Sequence, residues 1–219
     1  MDDAQTTDTS GRLVVGAFLT LDGVMQAPGG PDEDRAGGFE HGGWSVDYWD
    51  ETMGERMDEQ FATANALLLG RRTYDIFAGH WPSVDSRDDP VAAKLNRMPK
   101  YVASRTLDTV SWDNSRLLSG DVATAVTDLK TERGDTILVQ GSHDLLQTLL
   151  AHDLVDELWL WVFPLVLGEG KRLFGAGTVP AAFDLTSAET SSTGVQLLTF
   201  ERAGEIPYGS FALDEDGAT

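Results

Sequence analysis

Ala66-Leu67-Leu68-Leu69-Gly70-Arg71-Arg72-Thr73-Tyr74-Asp75 decides the fold class of this chain. An apolar run broken by glycine describes a buried strand that stops abruptly, and Thr73 offers a cap for a helix that follows. The turn is also a chemical signal. A helix start presents unpaired N–H groups and the positive end of the helix dipole, and two arginines there can fork onto phosphate oxygens. The plain alternative is a strand–turn–helix with solvated arginines. Two more strand ends carry turns of the same kind, Ser104-Arg105-Thr106 and Gly141-Ser142-His143-Asp144. Three such turns in one α/β domain predict a long phosphorylated cofactor laid across the sheet edge.

Outward from that block the chain alternates strand and helix. Arg12 to Leu19 is an apolar strand ended by the turn Leu21-Asp22-Gly23. Gln26 to Trp44 is a long loop dense in glycine, proline and acid, the signature of a lid or an insert. Met53, Met57 and Phe61 recur every four residues and predict an amphipathic helix over 50–65, with the methionines in the core. Residues 73–78 continue as helix, Asp89-Pro90 opens another, and Pro99 to Ala103 is a strand. Asp121 to Arg133 reads as a helix closed by Gly134, and Thr136 to Gln140 as a strand. Ser142 or Asp144 then caps a helix carrying Leu145, Leu146, Leu149 and Leu150. Glu157 to Phe163 is apolar on both faces, as an interior strand should be. Phe183–Thr190 and Val195–Arg202 flank a turn and form a hairpin. The class is α/β, with a mixed, mostly parallel sheet and an antiparallel C-terminal end.

At 219 residues the chain reads as one domain over 11–211, between acidic, disordered tails at 1–10 and 212–219. The formal charge of −20 argues against nucleic acid and anionic membrane partners, and makes the Arg71-Arg72 pair stand out. Without cysteine there are no disulfides and no thiolate chemistry. No apolar run is long enough to span a membrane and no signal peptide opens the chain, so a soluble, cytoplasmic protein is expected. Four histidines show no metal-ligand spacing, and no metal is expected. Gly-x-Gly-x-x-Gly is absent after the first strand; Gly168-Glu169-Gly170-Lys171-Arg172-Leu173 lacks its third glycine and is not a Walker loop. No Gly-x-Ser-x-Gly elbow supports a serine hydrolase.

The turns resemble a known family. Leu69 to Asp75 is similar to the strand–helix turn of dihydrofolate reductases, as are Lys100-Tyr101-Val102-Ala103-Ser104-Arg105 and Val139-Gln140-Gly141-Ser142. Leu154 to Leu158, and Pro164-Leu165-Val166-Leu167-Gly168-Glu169-Gly170-Lys171-Arg172-Leu173-Phe174, are closer still. They resemble the C-terminal reductase domain of bifunctional riboflavin-biosynthesis deaminase/reductases and its free-standing relatives. Leu19-Thr20-Leu21-Asp22-Gly23 matches that family's first-strand ending, and the resemblance spans Arg12 to Arg202.

The resemblance implies a three-layer αβα dihydrofolate reductase-like fold that binds NADPH and passes hydride to a small conjugated heterocycle, pterin- or pyrimidine-like. Gly70, Arg71, Arg72 and Thr73 would hold the pyrophosphate and ribose phosphate. Ser104, Arg105 and Thr106 would contact the adenosine end, the arginine favouring NADPH over NADH. Gly141, Ser142, His143 and Asp144 would form the second phosphate turn, where Gln140-Gly141 replaces the family's frequent Gly-Gly. Asp47 is one candidate for the acid that anchors the substrate ring, or a helix-capping or solvated acid. Asp22 is the riboflavin-type candidate, or a turn-forming Asp-Gly. His41 and Trp44, in the glycine-rich loop, would stack on or donate to a bound ring. With ten residues before Gly11 and no deaminase region, a free-standing reductase is expected. A homodimer is expected from the relatives, with the 157–163 strand at its interface or in a monomeric core. Two rivals keep the fold: a non-catalytic nucleotide-sensing module, and an enzyme using a flavin or deazaflavin.

Overall fold

A computed structural model describes residues 10–87 and 89–211. The acidic tails lie outside the described residues, Ser10 excepted. Eight strands build one sheet: β1 (Arg12–Thr20), β2 (Ala66–Gly70), β3 (Lys100–Ala103), β4 (Ser115–Leu117), β5 (Thr136–Gln140), β6 (Glu157–Phe163), β7 (Phe183–Thr190) and β8 (Gln196–Arg202). Their order is β4-β3-β2-β5-β1-β6-β8-β7. Every ladder from β4 to β6 is parallel, and β8 runs antiparallel to both β6 and β7. The helices are α1 (Glu51–Thr63), α2 (Arg71–His80), α3 (Pro90–Arg97), α4 (Val122–Arg133) and α5 (His143–Ala151).

Alternation along the strands sorts the helices onto two faces. Leu13, Val15 and Leu68 point to the face where Val126, Leu146 and Leu149 of α4 and α5 pack. Val14, Leu67 and Leu69 point to the opposite face, against Phe61, Tyr74 and Leu95 of α1 to α3. This is the three-layer αβα arrangement that the sequence resemblance implied. The unbroken Leu67-Leu68-Leu69 run is buried on both sides, as a strand inside a helix-covered parallel sheet requires.

Helix ends lie where the sequence reading put them in four places. The Asp50, Asp89 and Asp121 carboxylates accept from the N–H groups of Met53, Ala92 and Thr124 at 2.9–3.0 Å. Gly134 ends α4 in the left-handed region, at φ 61°. Two expectations are corrected. Helix α2 starts at Arg71, so Thr73 lies inside its first turn and Gly70 occupies the cap position. Neither Ser142 nor Asp144 caps α5 through its side chain. Strand β4 escaped the sequence reading because three half-polar edge residues carry no periodic signal.

Strand β6 is flanked by β1 and β8, and Trp159, Trp161 and Phe163 are buried within the chain. Those side chains are core, not a free interface. Trp161 stacks on Phe18 of β1, with ring centroids 4.9 Å apart and planes 14° from parallel. Among the described residues no helix is long and apolar enough to cross a membrane.

Candidate active site

Strands β1 and β5 are parallel neighbours, yet the helices that follow them lie on opposite faces of the sheet. At such a switch point the two connections diverge and leave a crevice at the carboxyl ends of the strands. Here it is a cleft of 1410 Å³. All eleven residues read as cofactor contacts line it: Gly70 to Thr73, Ser104 to Thr106, and Gly141 to Asp144.

Close backbone approach explains the glycines. A Cβ on Gly70 would lie 2.2 Å from the Ser142 Cβ, so only glycine lets the β2 and β5 turns meet. Gly141 and Ser142 have φ 69° and 57°, left-handed values that are strained for serine. The Ser142 hydroxyl lies 2.9 Å from Thr73 Oγ1 and accepts from the Thr73 N–H at 3.4 Å. It therefore caps α2 from a neighbouring turn. Arg71 Nη1 donates to Thr106 Oγ1 at 2.6 Å, linking the first turn to the second. Ser104 Oγ accepts from the N–H groups of Thr106 and Leu107 and shapes the second turn. His143 Nδ1 lies 3.0 Å from Asp144 Oδ1, a contact that holds the Asp144 carboxyl below the usual range.

Arg72 behaves differently from Arg71. Its Nη1 pairs with Asp34 Oδ1, while Lys171 Nζ donates to Asp34 Oδ2 at 2.7 Å. The Asp34 side chain is only 10% exposed, so the pair of cations is what makes its burial tolerable. Burial first, then the Arg72 guanidinium, lowers the pKa of the Lys171 ammonium. Beside it, Glu33 lines the cleft, and burial pushes its carboxyl above the ordinary glutamate range. Its Oε2 accepts from the Gly29 N–H at 2.6 Å. Glu33, Asp34 and Lys171 were missed in the sequence because they sit in loops without periodicity. The acid pair inside the glycine-rich loop was the one available signal.

That loop is pinned rather than loose. Gln26 donates to the carbonyls of Asp34 and Ala36 and accepts from the Lys171 N–H. Trp44 Nε1 donates to the Gln26 carbonyl at 2.7 Å, and Phe39 is buried against Val24 and Ala27. The loop forms one wall of the cleft through Met25 to Gly29, Glu33 and Asp34. Phe18, Trp49, Met57 and Phe61 give the remaining wall an aromatic, apolar surface.

The four sequence candidates for the substrate side lie off the cleft lining. Asp22 accepts from Thr20 Oγ1 at 2.6 Å, from the N–H groups of Leu167 and Gly168, and from Arg172. The Thr20 bond foremost, with the Gly168 and Leu167 N–H groups and against the effect of burial, lowers its pKa from 3.8 to about 2. It staples the segment after β6, which carries Lys171, to the end of β1. His41 faces Glu169 at 3.5 Å and packs edge-on to Phe39. Trp44 packs edge-on against Phe163, its N–H already committed. Asp47 is exposed in a single turn at Val46–Tyr48, and Asp50 takes the helix-capping role. Among the described residues no three His, Asp or Glu side chains are grouped to hold a metal.

Asp22 makes a stability prediction. A carboxylate whose pKa falls on folding contributes above its unfolded value, and the contribution is lost as pH drops from about 4 to about 2. Asp22→Asn is expected to cost about 1–3 kcal/mol at pH 7 and to flatten that acid limb, read by urea unfolding across pH. A limb unchanged in Asp22→Asn would remove the staple from the account.

The fold and cleft define a dihydrofolate reductase-like α/β protein. Residues 12–197 match the RibD C-terminal domain, and the chain belongs to that family. It is 27% identical over 199 residues to the uncharacterized protein YyaP of Bacillus subtilis, covering 88% of this chain and 96% of that one. A solved structure of a putative riboflavin biosynthesis protein from Shewanella sp. PV-4 superposes with a TM-score of 0.66 at 23% identity, over 88% of this chain and 99% of the other. The deaminase/reductase of Thermotoga maritima superposes at 0.60 and 15% identity, over 90% of this chain but 58% of that longer one.

Proposed function

We propose that the chain is a reductase that binds NADPH along the carboxyl edge of its sheet and reduces a small conjugated heterocycle of the pyrimidine or pterin type. The observation that carries this reading is the meeting of three polar turns from β2, β3 and β5 around one cleft. The cleft exceeds the roughly 300–1,000 Å³ usual for a single small ligand, which suits a dinucleotide and a second ring together. Gly141, where a Cβ would meet only Thr73 Oγ1 at 3.4 Å, lies between the starts of α2 and α5 and fits a diphosphate. Arg71 would neutralise it, Ser104 and Thr106 would border the adenosine, and the exposed Arg105 would take a 2′-phosphate.

Bound there, the nicotinamide supplies the hydride. The protein orients the rings between the turns and the Phe18–Trp49 wall and excludes water. It also provides the proton that must follow. Glu33 is a cleft carboxyl suited to hold it, because burial pushes it above the ordinary glutamate range while its Oε2 accepts from the Gly29 N–H. Asp34, paired with two cations, acts as a counter-ion that fixes the loop.

Titration with NADPH and NADH, followed through tryptophan quenching, tests the cofactor assignment, because Trp49 and Trp81 line the cleft. Micromolar NADPH binding with much weaker NADH binding is expected. Arg71 is 54% exposed, so solvent screening puts Arg71→Ala at the low end for a charged hydrogen bond, about 1.5 kcal/mol or tenfold in Kd. Unchanged affinity in Arg71→Ala would sink the diphosphate assignment. The aromatic wall favours one second reading, a flavin or deazaflavin in the same cleft, which a coloured protein on purification would support.

A further inference from the structure

Gln140 ends β5 in register with Gly16 of β1, on the face of the sheet that also carries Phe18. A Cβ on Gly16 would lie 2.7 Å from Gln140 Nε2, so the Gln140 side chain lies across β1 in a notch that glycine leaves open. The half-buried carboxamide lines the cleft and has no hydrogen-bond partner among the described residues. Its position is a boundary. The turn Gly141-Ser142 follows it directly, and Phe18, two residues beyond Gly16, begins the aromatic wall. Gly54 of α1 lines the same cleft, and a Cβ on it would meet nothing within 4 Å.

A carboxamide offers a donor and an acceptor side by side. An unpaired one at the wall of a ligand cleft discriminates, because a ligand that displaces its water without replacing the hydrogen bonds loses affinity. Its neutrality suits an uncharged partner. We infer that Gln140 is a specificity-determining residue that reads a substrate edge in which a ring N–H adjoins a ring carbonyl, the cyclic amide of pyrimidinones and pteridinones. The carbonyl would accept from Nε2, and the ring N–H would donate to Oε1. This rests on the reductase reading for the presence of a ring in the cleft, but the recognition itself needs only the ring.

Calorimetric titration of the full chain with a pteridinedione and its N-methylated form tests it, since methylation keeps the ring and removes the donor. The wild type is expected to prefer the N–H form by about tenfold. Gln140→Leu, similar in size and breaking no protein hydrogen bond, is expected to abolish that preference while NADPH affinity and melting temperature stay unchanged. Absence of a preference in the wild type, or its survival in Gln140→Leu, overturns the inference. A loss of NADPH affinity in Gln140→Leu with the preference intact also overturns it, assigning the carboxamide to the cofactor. If NADPH fails to bind while the preference behaves as expected, the reductase reading falls and the role of Gln140 stands.

Discussion

Glu33→Gln is expected to lower kcat by about 10²- to 10⁴-fold, the usual contribution of a positioned general acid, once a turned-over heterocycle is in hand. The substitution keeps the shape and the bond from the Gly29 N–H, and removes the titratable carboxyl. NADPH affinity should therefore be unchanged, since Glu33 lies in the Gln26–Trp44 loop and not in the three turns. The pH profile separates this role from a packing role. Burial raises the Glu33 pKa, so its acid form persists above the ordinary glutamate range and activity should fall as pH rises through the raised value. In Glu33→Gln that limb should vanish. A variant with wild-type kcat, or one that keeps the limb, would move the proton donor elsewhere in the cleft.

Trp161→Ala should be the most destabilising of the substitutions considered, by about 3–5 kcal/mol. The indole is buried and stacked on Phe18, with Trp49 tilted 5.9 Å away. Its loss would leave a cavity beside β1 that the stacked Phe18 and tilted Trp49 rings cannot close. The effect should reach function, because Phe18 and Trp49 line the cleft and Trp161 backs them. Guanidinium unfolding should show the full loss in Trp161→Ala and a smaller one in Trp161→Phe. Ring-ligand affinity should weaken more than NADPH affinity. A cost below about 1 kcal/mol would mean that the aromatic wall stands without this support.

The pattern of recovery along the chain has a physical basis. Strands β2 and β6 were legible to the residue because continuous apolar runs bounded by glycine, proline or charge have one interpretation inside a helix-covered sheet. Asp89-Pro90 and Gly134 announced helix ends because capping is local chemistry, and Asp50 and Asp121, read as helix starts, prove to be caps of the same kind. The three cofactor-type turns were found for the same reason. Each is a contiguous strand–turn–helix segment whose glycine and polar residues carry their own explanation.

Locality is also where the reading stopped. Thr73 looked like a cap, but the hydroxyl that serves the α2 start comes from Ser142, sixty-nine residues away. The resemblance pointed to Asp22 and Asp47 as substrate-side acids; both lie off the cleft lining, where the proposed proton donor is Glu33, a loop carboxylate that accepts from the Gly29 N–H. Arg71 and Arg72 looked equivalent, and Asp34 with Lys171 separates them. By itself the sequence determined the α/β class, every strand but the short edge strand β4, the helix segments to within a few residues and the three turns, all of them set by interactions between near neighbours. Tertiary structure alone decided which face each helix covers, which arginine pairs with the buried Asp34 and which loop carboxyl is desolvated at the cleft. Burial and charge pairing depend on residues that meet only once the sheet has closed.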